Sequence, residues 1–185
     1  MSIEGRAIEV RTAAPAEYED IGKIVAEAFH ADGQLEAPDS AFYAGVLRDV
    51  ASRAAAAEII VALDGGTVLD GGTVLDGGTV LDGGTVLGGV TFVPRGGPMA
   101  DIAQDGEAEI RMLGVAPEAQ GRGAGTALMR ECITRAAGTR RIVLSTQTVA
   151  HGSHRLYERL GFVREPARDW TPVPGVDLLV YALDL

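Results

Sequence analysis

Apolar residues follow different spacings in successive stretches of the chain. Residues 6–11 alternate between polar and apolar, which predicts a first β-strand. After Pro15, apolar residues recur at helical spacing as far as Asp32, which predicts a helix. A second apolar stripe over 40–54 predicts another helix, and the run EIIVAL at 58–63, rich in β-branched residues, predicts a second strand.

The next stretch is a tandem repeat. The hexapeptide LDGGTV occurs four times, starting at Leu63, Leu69, Leu75 and Leu81. The run LGGVTFVP at 87–94 follows and predicts a third strand. Removal of three copies, 18 residues, would leave a plain β-hairpin with an Asp-Gly turn. We therefore interpret the residues at about 64–87 as an expansion inserted in this hairpin. Its length is too short for a left-handed β-helix, and its spacing does not match that of calcium-binding β-rolls.

Strands and helices alternate in the second half of the chain. We predict a fourth strand over 108–115, a helix over 123–137 and a fifth strand over 141–146. This order predicts a parallel pair of strands joined by a right-handed crossover. Beyond it we predict a helix over 153–160 and two last strands, 162–165 and 176–184, joined by a loop around Trp170.

The composition fits one globular domain spanning residues 1–185. The single cysteine, Cys132, excludes an internal disulfide and lies on an apolar helix stripe, so we expect it in the core. The net charge of −10 disfavours a nucleic-acid partner, which needs a basic face. We interpret this charge mainly as a source of solubility, and it only weakly favours a cationic partner. The first residues lack an apolar signal region, and no apolar run approaches a membrane span. We therefore expect a cytoplasmic protein that does not act at membranes.

Glycines concentrate in the turn 120–126, QGRGAGT, just before the predicted helix. The glycines at 121, 123 and 125 let the backbone approach a ligand without side chains in the way. The N–H groups at the start of the helix and the charge of Arg122 suit a phosphate group. The turn is neither a Walker loop nor a dinucleotide-binding fingerprint, because the residues and glycine spacing of those motifs are absent.

Two motifs carry a resemblance to a known family. The turn QGRGAG is preceded by MLGV-x-P and followed by TALM, and HRLYERLGFV at 154–163 places a tyrosine before a Gly-Phe pair. In these motifs and its strand order, the chain resembles the GNAT superfamily of acyl-CoA-dependent N-acyltransferases over nearly its whole length. The resemblance implies an α/β (α+β) fold. Its mixed, mostly antiparallel sheet would have about seven strands flanked by four helices, with a parallel pair of strands, the fourth and fifth, at the cofactor site.

The resemblance also implies acetyl-CoA as the acyl donor and a role for each matching residue. Backbone groups of Leu113 and Val115 would pair with the pantetheine arm, as an added strand does. Tyr157 matches the general acid that protonates the departing thiolate, which suits a phenol pKa near ~10 and a thiol pKa near ~8.5, unless it is only a rim tyrosine beside Leu156 and Leu160. Ser153 would touch coenzyme A, unless it only caps its helix. The pyrophosphate would be held by the amides of Gln120, Gly121, Arg122, Gly123, Ala124, Gly125 and Thr126.

A base is needed as well, because an alkylammonium with a pKa near ~10 must lose a proton before it attacks. Glu109 is the predicted base. Strand alternation places it on the same face as Arg111 and Leu113, unless a bulge intervenes. Alternatively, Glu109 only pairs with Arg111 or is solvated, and Glu107 is then the second candidate.

Two aromatic residues, Phe29 and Trp170, are predicted to border the acceptor site. Trp170 lies in the loop that borders this site in relatives, although it is equally well interpreted as a loop anchor. We expect no metal, since the three histidines have no metal-ligand spacing: His30, His151 and His154.

These observations predict an N-acetyltransferase that moves an acetyl group from acetyl-CoA to a primary amine by direct attack in a ternary complex. Two alternatives are a non-catalytic acyl-CoA-binding or sensor protein on the same fold, and an interaction protein that acts through its repeat. The acceptor is a small molecule or a peptide. It stays open among amino acids, polyamines, aminoglycosides, peptide N-termini and lysine side chains, because acceptor pockets are built from variable loops. Exposed valines and leucines of the repeat would also allow a homodimer.

Overall fold

A computed structural model of the chain describes residues 7–38, 40–65 and 84–185. Its strands are β1 Ile8–Thr12, β2 Glu58–Asp64, β3 Thr85–Val93, β4 Glu107–Val115, β5 Arg141–Gln147, β6 Val163–Arg164, β7 Trp170–Val173 and β8 Val176–Asp184. Its α-helices are α1 Tyr18–Ala31, α2 Ser40–Arg48, α3 Val50–Ala54, α4 Ala124–Arg135 and α5 His151–Arg159. Residues 66–83, which hold most of the LDGGTV repeat, lie outside the described residues.

The described strands form one sheet in the order β1-β2-β3-β4-β5-β8-β6, and β7 pairs with β8 beside this path. β4 and β5 run parallel, and the other neighbouring pairs of described strands are antiparallel. The predicted mixed, mostly antiparallel α/β fold is therefore confirmed, together with its parallel pair of strands.

Two elements differ from the sequence-based prediction. Residues 170–173 form β7 against β8 rather than a loop, so the sheet has eight strands. The helix predicted over 40–54 is two helices, α2 and α3. The chain starts a new helix at this point because the Asp49 side chain accepts the N–H of Ser52 and caps α3.

The strands on either side of the repeat pair with each other. Asp64 at the end of β2 lies opposite Thr85 at the start of β3, in an antiparallel ladder. The described residues on either side of 66–83 therefore belong to one antiparallel ladder. Its interpretation as an inserted expansion concerns residues outside the described ones and stays a prediction.

Helices cover both faces of the sheet. In β2, the side chains of Ile59, Val61 and Leu63 pack with the cluster that includes α1 and α3, whereas the residues between them pack with the α4 cluster. A strand buried on both faces needs an apolar residue at every position, which explains the run EIIVAL. Cys132 on α4 is fully buried, which confirms its predicted place in the core, and burial raises the pKa of its thiol.

The parallel strands β4 and β5 separate partway along their length. Their pairing ends at Ile110 beside Leu144. Beyond this point β4 bulges: its register against β3 shifts, and Met112 takes a φ of 54°. Such a φ is rare for a long side chain, and a bulge bends its strand away from the regular ladder. The divergence opens a gap beside residues 113–115, where the functional site lies.

Candidate active site

A cleft of about 310 Å³ opens between the end of β4, the start of α4 and one face of α5. Residues 113–115 form one wall, and the glycine turn, residues 119–121 and 123–126, forms the end. The facing wall comes from Gly152, Ser153, Leu156 and Arg159 of α5. Ala28 and Asp32, at the end of α1, complete the lining, so four separate segments of the chain build this cleft.

The glycine turn carries the backbone around the end of the cleft. Gly121 and Gly123 take φ values of 76° and 96°, and Gly123 is the N-cap of α4. These values lie in the left-handed region, which favours glycine. The first N–H groups of a helix lack intrahelical partners and carry a partial positive charge. The turn therefore presents amide donors to the cleft at a place that suits a phosphate group.

One residue of the turn, Arg122, does not line the cleft. Its Nη2 atom lies 3.0 Å from Oδ2 of Asp64, so its charge is partly neutralised by this carboxylate at the end of β2. The remaining predicted pyrophosphate-binding residues, Gln120, Gly121 and 123–126, all line the cleft.

Arg159, at the end of α5, supplies a cation to the cleft that the sequence analysis missed. It lies three residues after Leu156 and six after Ser153, a spacing that places all three on one helix face. That spacing was the signal available in the sequence.

The other cleft wall is the edge of β4. Leu113 and Val115, the residues predicted to pair with pantetheine, both line the cleft together with Gly114. β5 has already diverged at this point, so an extended ligand can lie along the strand edge and add main-chain hydrogen bonds.

A second cavity, of about 270 Å³, adjoins the cleft. The two share Leu113 and Ser153 in their walls. Phe29 and Trp170, the predicted acceptor-site residues, both line this second cavity. Phe29 on α1 lies with its ring centroid 6.1 Å from that of Tyr43 on α2. The fold thus places a second binding volume directly beside the first.

Tyr157 lines the second cavity from α5, with 6% of its surface exposed. Its ring packs against Phe162 and Tyr181, at centroid distances of 6.1 and 5.9 Å. Burial raises the pKa of Tyr157 to about 12, although a hydrogen bond with Ser153 opposes the shift. The phenol is therefore protonated at neutral pH and lies next to a residue that borders both cavities.

Glu109 is held by the backbone of the loop before β4. Its Oε2 atom accepts the N–H groups of Asp101, Ile102 and Ala103 at 3.0, 2.9 and 2.9 Å. Burial and, to a smaller extent, the Asp101 charge raise its pKa, opposed by the N–H groups of Ile102 and Ala103 and by Arg111, whose Nε lies 3.9 Å from Oε1. Glu109 is not among the described residues that line either cavity. The bulge in β4 lies beyond Arg111, so Glu109 and Arg111 keep the expected shared face, whereas Leu113 does not: it packs with Ile110 in the cluster on the other side.

Glu107, the second candidate base, belongs to a buried ion network. Its Oε2 accepts the Gln104 N–H at 2.9 Å and a bond from Arg168 Nη2 at 3.0 Å, and Arg140 Nη2 lies 3.2 Å from Oε1. Burial alone would raise its pKa, but these donors and the two arginine charges outweigh it and lower the pKa. Glu107 also lies outside the described lining of both cavities.

The sequence of this region decides the family. Residues 51–162, more than half of the chain, match the Acetyltransferase (GNAT) family. The chain belongs to the GNAT family of acetyltransferases. A search of curated proteins gave no significant match.

Solved structures of GNAT proteins and other acetyltransferases share this fold. A GCN5-related N-acetyltransferase from Kribbella flavida is 27% identical, with 97% of this chain and 98% of that chain covered and a TM-score of 0.62. A structure from Corynebacterium glutamicum, described as histone acetyltransferase HPA2 and related acetyltransferase, is 22% identical, with 95% of each chain covered and a TM-score of 0.66. Arabidopsis thaliana NAA60, in complex with a bisubstrate analogue, is 20% identical, with 96% and 98% covered and a TM-score of 0.60.

Within the described part of this GNAT chain, no group of three or more His, Cys, Asp or Glu side chains is placed to hold a metal ion. None of the helices in residues 7–38, 40–65 and 84–185 is long and apolar enough to cross a membrane.

Proposed function

We propose that this GNAT protein is an N-acetyltransferase that moves the acetyl group of acetyl-CoA to a primary amine by direct attack in a ternary complex. The observation that carries the proposal is the shared wall of the two cavities, Leu113 and Ser153, with Tyr157 beside it. A direct transfer requires both substrates to be bound at once with their reacting atoms in contact, and adjoining cavities meet this requirement.

The first cavity suits the donor. The amides of Gly121 and 123–126 would hold the pyrophosphate, whereas the Gln120 N–H donates to the Pro117 carbonyl, and Arg159 adds a full positive charge. The edge of β4 at Leu113–Val115 would bind the pantetheine arm as a neighbouring strand. When bound, acetyl-CoA supplies an activated thioester carbonyl for transfer. Its thioester would then lie near Ser153, where the two cavities meet.

The second cavity would hold the amine. The neutral nitrogen attacks the carbonyl carbon, a C–N bond forms and the C–S bond breaks. The sulfur leaves as a thiolate and takes a proton, while the nitrogen loses one. Tyr157 is the group placed to give the sulfur its proton, because its phenol is protonated at neutral pH and lines this cavity.

Among the described lining residues of the acceptor cavity the carboxylate is Asp101, and it is paired with Arg111 at 2.5 Å rather than free to take the proton that the ammonium loses before attack. Glu109 as the base therefore stays a prediction. The geometry favours loss of this proton to solvent, with Glu109 acting as a positioning residue that holds the loop 101–103 through its three N–H groups.

The alternative, a non-catalytic acyl-CoA-binding protein, would need the donor cleft but not an acceptor cavity with a protonated tyrosine. The test is release of free thiol from acetyl-CoA when amines are added, followed with a colorimetric thiol reagent. We expect thiol release that depends on the amine and yields the acetylated amine by mass spectrometry. Tight acetyl-CoA binding in calorimetry without thiol release for any amine would favour the binding protein instead.

A further inference from the structure

We propose that the acceptor is a primary amine carried on an apolar or aromatic group, with no second charged group. The inference rests on the proposed function, because it concerns the acceptor cavity of that reaction. It is drawn from three observations: the charge balance of the second cavity, the residues at its mouth, and a buried arginine behind its wall.

The charges of the cavity wall cancel each other. Among the described residues that line it, the charged ones are Asp101 and Arg111. Arg111 Nη2 lies 2.5 Å from Asp101 Oδ2, and its Nη1 donates to the Met99 carbonyl at 2.5 Å. Polyamines, aminoglycosides and lysine-rich peptides carry additional cations, which would have to break this pair to gain a carboxylate. An amino acid would have to displace Asp101 to place its carboxylate on Arg111.

A further cation lies just behind the wall. Arg53 on α3 is 3% exposed, and its Nη1 lies 2.8 Å from the sulfur of Met112, which lines the cavity. Burial lowers its pKa to about 10, so it is still charged at neutral pH. The charged and titratable groups that act on it are Tyr43, Asp49 and Arg111. This buried charge opposes a second ammonium in the cavity, because charges in a low-dielectric interior are poorly screened; the exclusion of a carboxylate rests on the Asp101–Arg111 pair alone.

Apart from Asp101, which is exposed and paired with Arg111, the mouth of the cavity is formed by apolar side chains. Phe42 on α2 is 79% exposed and Val173 on β7 is 40% exposed, and both belong to the cavity wall. Inside, Trp170 and the Phe29–Tyr43 pair continue the same surface. An apolar patch around a cavity mouth gains free energy when a ligand removes it from water. A flat, apolar acceptor body matches these walls, and its amine would reach Tyr157.

The first part of the test compares three amines with the wild-type enzyme. 2-Phenylethylamine is the reference, 4-(aminomethyl)phenethylamine adds an ammonium to the same ring, and phenylalanine adds a carboxylate beside the same amine. We expect kcat/KM for thiol release to be at least about tenfold higher for 2-phenylethylamine than for either charged relative, because a matched pocket discriminates by about this factor or more. Equal or faster turnover of the diamine or of phenylalanine would overturn the inference and leave acetyl transfer supported.

The second part of the test adds a negative charge at the mouth of the acceptor cavity. Val173→Asp adds an uncompensated carboxylate at an exposed position of the wall, so the preference should shift toward the diamine by about tenfold. Val163→Asp, at an exposed valine of β6 outside the lining of both cavities, should leave the preference unchanged. An unchanged preference in Val173→Asp would show that the mouth does not contact the acceptor and would overturn the inference.

Binding separates the two proposals. Calorimetry with 2-phenylethylamine and coenzyme A present measures the cavity without chemistry. Binding of 2-phenylethylamine in preference to its charged relatives, with no thiol release from acetyl-CoA, would support the acceptor-cavity inference while the acetyl transfer fails. Absence of both binding and turnover for 2-phenylethylamine would overturn the inference.

Discussion

Arg122 Nη2 lies 3.0 Å from Asp64 Oδ2, so the glycine turn is tied to the last residue of β2 across 58 positions of sequence. Asp64 is also the first aspartate of the LDGGTV repeat. The contact therefore joins the start of the repeat to the turn that is expected to bind the pyrophosphate, and it places a carboxylate next to an anion site.

Asp64→Asn is expected to strengthen acetyl-CoA binding about threefold at low salt, because less of the Arg122 charge is then neutralised, and the gain should shrink as salt is added. Calorimetry at two ionic strengths measures it. Asp184→Asn is the control, since it removes an equal charge beside Arg141, at the opposite end of β5 from the cleft. Weaker binding in Asp64→Asn would mean that the contact orients the turn rather than neutralising it.

Gly123→Val is expected to weaken acetyl-CoA binding at least about tenfold, because a branched side chain at a φ of 96° forces the turn to rearrange. Gly138→Val is a matched control: Gly138 has a φ of 90°, stands just after α4 and has open space around its Cβ position. Both variants should lose about 1–2 kcal/mol of stability, but only the first should lose affinity. Equal acetyl-CoA affinities of the two variants would show that the turn does not bind the cofactor.

Tyr157→Phe is expected to lower kcat by about 10²–10⁴-fold and to leave acetyl-CoA affinity nearly unchanged, because only the transferable proton is removed. Tyr181→Phe controls for the loss of a buried hydroxyl. Its ring packs against Tyr157, and its hydroxyl meets Glu158 at 3.3 Å, outside the described lining of both cavities. If the two variants have the same kcat, Tyr157 is a packing residue.

Glu107→Gln is expected to lower the free energy of unfolding by about 1–3 kcal/mol at pH 7, because Arg168 loses one charged partner while it keeps Glu165 and the Ile102 carbonyl. The folded pKa of Glu107 is lowered, so its stabilisation is present above the ordinary value of 4.5 and is lost as pH falls through the folded pKa. The difference between variant and wild type should therefore shrink in acid. Urea unfolding at several pH values measures it, and a constant difference would contradict the lowered pKa.

Glu109→Gln is expected to show the opposite trend. The folded pKa of Glu109 is raised, so its contribution to stability is greatest below 4.5 and is lost as pH rises through the folded pKa. The free energy of unfolding of the variant should therefore increase relative to that of the wild type as pH rises. Its pH–rate profile should keep the acidic limb of the wild type. A shifted or flattened limb would identify Glu109 as the base after all.

Deletion of residues 70–87 is expected to leave both folding and acetyl-CoA affinity intact. β3 begins Thr85-Val86-Leu87, and the deletion would join the identical letters at 67–69 to Gly88. Thr67 would then take the place of Thr85 opposite Asp64, at the start of the same strand sequence. Thermal unfolding and calorimetry measure the outcome, and deletion of 76–87, which removes one copy fewer, is the intermediate case. Loss of folding in both deletions would show that the repeat is integral to the domain.

Local patterns were sufficient for most of the fold. The apolar run of β2, the turn at 120–126 and the helices around it are each visible in a few consecutive residues, because hydrophobic spacing and glycine positions act over one or two turns of chain. Two differences from the predicted elements also have local causes, which the hydrophobic pattern does not show. Asp49 caps a new helix, and Trp170 opens a short strand against β8.

The partners of the charged residues depended on the tertiary structure. Glu109 was expected near the amine, yet three N–H groups of a loop fold over it, and Arg122 was expected at the phosphate, yet it meets Asp64. Arg159 lines the cleft because the fold places α5 on the side of the cleft opposite the end of β4 and near the start of α4. A charged side chain binds whichever buried partner the fold brings within about 3 Å, and that choice is made between distant segments, where sequence spacing carries no information.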